Sequence, residues 1–185
     1  MKPLDAGLTP TRVLAWVHHL SDTVLPVFDK TVKQIPPERL DYRAGRSGLR
    51  LREIVYHVYH VLLAMTHTTV TGMYDPSAFP VRLNVAEVTH PDELLSYGKA
   101  VQRYVRSAVP TLTTVELDRA ILNGPCRTGR ACMQLAIGDV LHYIGQFRVY
   151  MQLLDIAMPA RHLAQSSNLP TGNVRDGQHQ GPRPW

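Results

Sequence analysis

The chain has 185 residues, of which 44% are hydrophobic and 19% are charged, and this is the composition of a globular domain with a real hydrophobic core. No apolar run reaches the roughly 18 residues that a membrane-spanning helix needs, and residues 1–10 lack the apolar segment of a secretory signal, so we expect a cytoplasmic protein. The formal charge is +5, but the arginines are scattered rather than gathered into a basic arm, which argues against a nucleic-acid partner.

The first predicted helix begins at Thr9 and Pro10. The threonine hydroxyl can cap a backbone N–H, and proline at the first helical position has no N–H to satisfy. Apolar residues then recur at helical spacing, Pro26 predicts a kink, and the helix is expected to stop before Pro36. The same spacing predicts a second helix over about 49–70.

Ser47 is the predicted N-cap of this second helix. A long loop over 71–90, marked by glycine and proline, follows the helix, and loops of this length are often functional or partly mobile. Beyond the loop, helical spacing predicts three further segments: residues 91–109, a short piece over 115–121, and 128–156.

The sequence predicts an all-α protein with one domain over residues 1–163. Four long amphipathic helices joined by polar connections are typical of a four-helix bundle. Residues 164–185 are rich in Ser, Asn, Gly, Gln and Pro and carry little apolar surface to bury, so we expect a disordered, flexible tail.

The chemistry-bearing residues are concentrated in two polar strips. On helical wheels, each strip spans about 60° and lies beside the apolar stripe of its helix. The strip on the second helix holds Glu53, His57 and His60, and the strip on the fourth holds Asp139, His142 and Gln146. Facing strips of this kind build metal sites in bundles, and imidazole and carboxylate suit zinc, nickel, iron or manganese. The alternative is that these histidines are hydrogen-bonded residues at the core boundary. Cys126 and Cys132 fit no common zinc motif and receive no catalytic role.

Several stretches resemble the DinB/YfiT-like superfamily in their order and spacing. The matching pieces are residues 35–43, 51–58 with the sequence LREIVYHV, 91–95, 114–119, and Gly145-Gln146 followed by 150–159 with the sequence YMQLLDIAMP. The resemblance covers roughly residues 9–160 and implies a DinB-like four-helix bundle.

The resemblance also implies a divalent metal. In that family three histidines, one from the second helix and two from the fourth, usually bind the ion. His57 falls on the first ligand position, and the other two positions fall on Asp139 and Tyr143. His142 lies one residue out of register with the third position and is the predicted substitute for Tyr143 there. The predicted ligand set is therefore His57, Asp139 and His142, which would hold zinc, nickel or iron.

By the same resemblance, the leading hypothesis is a metal-dependent enzyme of the thiol-S-transferase or isomerase/hydrolase type. It would act on a small molecule between the second and fourth helices, with a low-molecular-weight thiol as cofactor that the metal makes nucleophilic. The predicted catalytic residues are His57, His60, His142 and Tyr143.

Two alternatives stay open. In one, the protein is a metal-free ligand-binding or dimeric stress protein in which Tyr143 fills the metal position. In the other, it is a metal-free enzyme in which His57 and Asp139 form a general acid–base pair. The expected partners are a small-molecule substrate and a second copy in a homodimer, with neither nucleic acid nor membrane.

Overall fold

The computed structural model describes residues 9–46 and 48–158, and these residues form a helical bundle. The helices are α1 (Pro10–His19), a π-helical turn (Leu20–Val24), α2 (Leu25–Val32), α3 (Leu51–Thr71), α4 (Pro91–Ala108), α5 (Thr114–Asp118) and α6 (Gly129–Leu153). Short 3-10 turns lie at Pro37–Arg39, Pro76–Ala78, Val85–Glu87 and Val109–Thr111. The described residues contain isolated β-bridges but no strand, which confirms the all-α prediction. No helix among them is long and apolar enough to cross a membrane.

The first bundle helix is continuous from α1 into α2. Thr9 caps it as predicted, since its Oγ1 accepts a hydrogen bond from the Arg12 N–H at 3.4 Å. At the place where Pro26 predicts a kink, the structure has the π-helical turn, in which the N–H of Leu25 bonds to the carbonyl of Leu20. Widened turns of this kind let a helix continue past a residue that cannot complete the regular hydrogen-bond ladder.

The start of α3 differs from the prediction. The N-cap is Arg50, not Ser47, which lies outside the described residues. The Glu53 carboxylate accepts the Arg50 backbone N–H at 2.6 Å, as the third residue of a capping box does. Glu53 was placed in the metal-site strip from its position on the helical wheel, and the structure gives its carboxylate this local partner.

Helix α3 lies at the centre of the bundle and packs mainly against α6 and α4. Its buried face is apolar over most of its length. In the core, the ring of Phe28 on α2 packs edge-on against Tyr59 of α3 and against Phe147 of α6. Burial of this apolar surface is the main force that holds α3, α4, α6 and the first bundle helix together.

One half-buried carboxylate links three helices. Asp29 of α2 accepts a hydrogen bond from the Tyr59 hydroxyl of α3 at 2.5 Å and another from the Gln102 amide of α4 at 3.0 Å. Burial, and then the negative charge of Asp29, raise the pKa of Tyr59 well above its usual value. Tyr59 therefore stays a phenol and donates. Both partners of Asp29 are almost fully buried, so the network fixes how α2, α3 and α4 meet.

The predicted loop over 71–90 is tied to the bundle. Phe79 is 5% exposed, and its ring packs edge-on against His60 and His67 of α3. Arg52, also on α3, donates a hydrogen bond to the carbonyl of Val88 at 3.0 Å. The loop thus covers one side of α3 and α4. The predicted tail, 164–185, and the predicted boundary at residue 163 lie outside the described residues.

Candidate functional site

His57 of α3 and Tyr143 of α6 meet between the two helices. Their rings are stacked, with centroids 5.0 Å apart and planes inclined by 13°. Both side chains are half-buried, and both stand at positions that the family resemblance assigns to metal ligands. The structure therefore brings together two of the predicted site residues, and they meet through ring stacking.

The surroundings of His57 favour its neutral form. Burial lowers the pKa of His57 below its usual 6.5, and the nearby carboxylate of Glu53 acts in the opposite direction but more weakly. At neutral pH the imidazole is consequently uncharged and has a nitrogen that can accept a proton.

His60 has partners of its own, away from α6. Its Nδ1 is hydrogen-bonded with the hydroxyl of Tyr56 at 2.9 Å and with that of Tyr97 at 3.0 Å. Burial, and then the charge of His57, lower the pKa of His60. One ring nitrogen is thus engaged by two phenols, which leaves His60 less suited than His57 to the predicted catalytic role.

His142 and Asp139 point to other neighbours. His142 is exposed, its Nε2 lies 2.8 Å from the side-chain nitrogen of Gln146, and its ring meets the edge of Tyr143 at 5.5 Å. Asp139 is half-buried and lies close enough to Cys126 for its charge to raise the pKa of that thiol, although burial is the larger cause. The carboxylate that acts on the pKa of His57 is that of Glu53.

The predicted metal ligands do not assemble into a metal site. Within residues 9–46 and 48–158, which include all the predicted ligands, no group of three or more His, Cys, Asp and Glu side chains could hold an ion. One family ligand position holds Tyr143, and neutral tyrosine is a poor ligand whose ring here covers His57. In the part of the chain that the structure describes, His57, Asp139 and His142 thus form no three-ligand group that fits a divalent metal, and this ligand set stays a prediction.

A row of aromatic rings, which the sequence analysis missed, crosses α3 from α6 to α4. From Tyr143 and His57 it continues to Tyr56, whose ring lies 5.8 Å from His57, and on to Tyr97, whose ring stacks on Tyr56 at 5.4 Å. His60 stacks on Tyr56 at 4.7 Å. Tyr56 lies about 100° from His57 on the α3 wheel, so helical periodicity alone gave no reason to join them. We call these five residues the aromatic row.

An open groove of about 530 Å³ lies at the α4 end of the aromatic row. Tyr97 forms part of its wall, and the rest comes from the 71–90 loop and the first turns of α4: Val81, Arg82, Leu83, Asp92, Glu93, Ser96 and Ala100. The groove is therefore next to the row but separate from the contact between His57 and Tyr143.

The bundle is similar to solved structures. A DinB-like protein of Bacillus subtilis, YjoA, matches 80% of this chain and 96% of its own length, with a TM-score of 0.64 and 19% sequence identity. This chain has the DinB/YfiT-like four-helix-bundle fold. YfiT, also of Bacillus subtilis, matches 85% of this chain and 95% of its own length, with a TM-score of 0.61 and 14% identity. YfiT is described as a probable metal-dependent hydrolase with an unusual four-helix bundle topology.

Comparison of sequences finds neither a matching family model nor a matching curated protein. At identities of 19% and 14%, the structural matches establish the fold and leave the activity to be argued from the residues of this chain. They confirm the predicted four-helix-bundle fold.

Proposed function

We propose that this protein binds a small molecule across the aromatic row and acts on it by acid–base chemistry at His57, without a resident metal. The observation that carries the proposal is the stacked pair of His57 and Tyr143, which stands where the family resemblance places metal ligands. Each side chain is half-buried, so part of its surface is accessible to a small molecule.

Neutral His57 supplies the base. An imidazole whose pKa lies below 6.5 is unprotonated at pH 7 and can take a proton from water as the water oxygen attacks a substrate carbonyl. The same proton can then pass from His57 to the departing group. The phenol of Tyr143 is a hydrogen-bond donor beside this base, and a donor placed at the developing negative charge stabilises the transition state.

The aromatic row supplies the binding surface. Aromatic rings have large apolar faces and prefer stacked or edge-on neighbours, so flat molecules with an aromatic or unsaturated body suit the row. Tyr56, His57 and His60 are half-buried on α3, which leaves parts of their rings accessible. The proposed substrate class is accordingly a flat molecule with a hydrolysable carbonyl group.

The first test uses metal analysis together with a generic ester. Protein purified without a histidine tag should contain less than about 0.1 equivalent of zinc, nickel, iron or manganese, because a bound zinc needs at least three protein ligands and the site does not bring three together. It should hydrolyse p-nitrophenyl acetate, and a chelator should leave the rate unchanged. His57→Gln should lose at least about tenfold of that rate, since a positioned base contributes roughly 10²–10⁴-fold.

The matched control is His67→Gln on the same helix. His67 is also half-buried, but its partners are Tyr104, at 3.0 Å from its Nδ1, and the 71–90 loop. This variant should retain the wild-type rate. Equal losses in both variants would show that the ester reacts with histidines in general and would refute the assignment of His57 as the base.

A metal-dependent hydrolase is the second candidate, supported by the structural similarity to YfiT and by the position of His57. Near-stoichiometric metal, with activity that a chelator removes, would favour it and refute the metal-free proposal. Thiol transfer, which the family resemblance implied, depends on a metal-bound thiolate. The same result would therefore make thiol transfer a candidate activity again.

A further inference from the structure

The segment that leads into α3 concentrates positive charge. Residues 39–52 contain five arginines, which are Arg39, Arg43, Arg46, Arg50 and Arg52. Asp41 is the one acidic residue in the same stretch of sequence. The structure shows how three of these arginines are arranged around this single carboxylate.

Arg43 and Arg50 stand opposite each other across an antiparallel bridge. Next to this pair, the Leu51 N–H bonds to the Tyr42 carbonyl at 2.9 Å. Side chains directly opposite in such a pair start from Cβ atoms about 4.5–5.5 Å apart, and like charges placed in this way are destabilising. The stability of the bundle therefore gives no reason to pair arginine with arginine here.

One carboxylate serves two guanidinium groups beside this pair. The Oδ1 atom of Asp41 lies 3.2 Å from Nη1 of Arg50 and 3.1 Å from Nη2 of Arg52. Arg52 also donates from Nη1 to the Val88 carbonyl, and its buried Nε has no acceptor among the described residues. When Arg43 is included, three guanidinium groups surround one carboxylate, which leaves a local excess of two positive charges.

The side chains of Arg43 and Arg50 can be reached from solvent. Arg43 is exposed, and the side chain of Arg50 is 37% exposed. Each uses its Nη1 within the protein, Arg43 at 3.4 Å from the Gly48 carbonyl and Arg50 at the Asp41 carboxylate. Because a guanidinium group has five N–H donors, both arginines keep donors for a ligand.

The backbone that carries the two arginines is fixed to the bundle. Leu40 is buried in the core, and its carbonyl accepts the Arg52 N–H at 3.0 Å. Tyr150 of α6 donates from its hydroxyl to the Leu49 carbonyl at 2.6 Å, and its ring packs edge-on against Tyr42. Binding groups that the fold already holds lose less freedom when a ligand binds, and this favours affinity.

We propose that Arg43 and Arg50 bind the phosphate group of a small phosphate monoester, with Asp41 and Arg52 holding Arg50 in place. A phosphate monoester carries a charge of about −1.5 to −2 at pH 7, which matches the local excess. Planar guanidinium groups also form paired hydrogen bonds with phosphate oxygens. These residues lie outside the aromatic row, so the proposal stands independently of the proposed function.

A phosphorus-31 NMR titration of glycerol 2-phosphate with the full chain tests the site. This monoester has no ring that could stack on the aromatic row. We expect saturable binding with a Kd on the order of 0.1–1 mM that weakens as sodium chloride is added, because exposed charges are screened by salt. Arg43→Gln and Arg50→Gln should each weaken binding at least about tenfold and keep the helical circular-dichroism spectrum.

The matched control is Arg103→Gln, which removes the same charge from an exposed position on α4 and should bind like the wild type. Equal losses in Arg103→Gln and Arg43→Gln would show attraction to the net charge alone and would overturn the proposal. So would an absence of saturable binding in the wild type, or wild-type affinity in Arg43→Gln.

A second probe tests the charge of the ligand. Dimethyl phosphate carries a single negative charge and should bind at least about tenfold more weakly than the monoester, because it matches only half of the local excess. Equal affinity for the two probes would refute the assignment to a monoester. A single-stranded oligonucleotide that bound more tightly than the monoester through the same arginines would refute it as well, since it would identify a nucleic-acid backbone as the ligand.

Discussion

Gly98 of α4 lies directly against the ring of Tyr59, and replacing it with alanine should destabilise the protein. A Cβ atom at position 98 would lie 2.5 Å from the Tyr59 Cζ atom, whereas carbon atoms in good contact are about 3.5–4.0 Å apart. The ring would have to move by about 1 Å. It is fully buried, and its hydroxyl donates to Asp29, so it has little freedom to move.

Two effects of opposite sign determine the size of the change. Alanine is better than glycine in a helix by about 1 kcal/mol, which favours the variant. Overpacking a core costs about 1–3 kcal/mol, and weakening a hydrogen bond to a charged group costs about 1.5–3 kcal/mol. We therefore expect Gly98→Ala to lower the free energy of unfolding by about 1–3 kcal/mol and the Tm by about 2–10 °C.

Urea unfolding measures the change. Gly138→Ala on α6 is the matched control, because its Cβ would meet nothing and only the helix preference acts. It should raise the free energy of unfolding by about 0.5–1 kcal/mol. If Gly98→Ala also stabilised the protein, α4 would not pack on the Tyr59 ring as described.

Three further predictions concern the site and its supports. Glu53→Gln should lower the pKa of His57 further, because it removes the negative charge that favours the imidazolium form. An NMR titration of the His57 ring protons measures this pKa, and a higher pKa in the variant would contradict the stated effect of Glu53. Tyr150→Phe removes the 2.6 Å hydrogen bond from the Tyr150 hydroxyl to the Leu49 carbonyl and should cost about 1–2 kcal/mol in urea unfolding, whereas an unchanged midpoint would mean that water replaces it. Because burial lowers the pKa of His60, the unfolded chain binds more protons, so stability should fall from pH 7 to pH 5 and fall less steeply in His60→Gln. Equal slopes in the two proteins would contradict the third prediction.

The helices could be predicted well because their signals are local. The cap at Thr9, the prolines and the apolar spacing of α3, α4 and α6 all act within a few turns, and the helices lie close to the predicted ranges. The error at the start of α3 has the same origin. Ser47 and Arg50 stand three residues apart in the sequence, and the bond from the Arg50 N–H to the Glu53 carboxylate marks Arg50 as the N-cap.

The candidate site could be predicted only in part. Helical spacing placed His57 on the correct edge of α3, and the family resemblance pointed to Tyr143 on α6, but neither indicated that the two rings stack. His60 lies on the same strip as His57, yet its partners are Tyr56 and Tyr97. A helical wheel gives the direction of a side chain and not the identity of the residue that it meets on another helix.

The all-α class, the order of the helices and the polar edge that holds His57 can be read from the sequence alone, because they depend on hydrophobic periodicity and on capping within single segments. The pairing of polar groups across helices depends instead on how the helices pack: Tyr59 and Gln102 bond to Asp29, and Tyr143 stacks on His57. A buried polar or aromatic group is satisfied by whichever partner lies within a few ångströms after packing. The helix crossings that fix those distances depend on contacts between residues far apart in the chain.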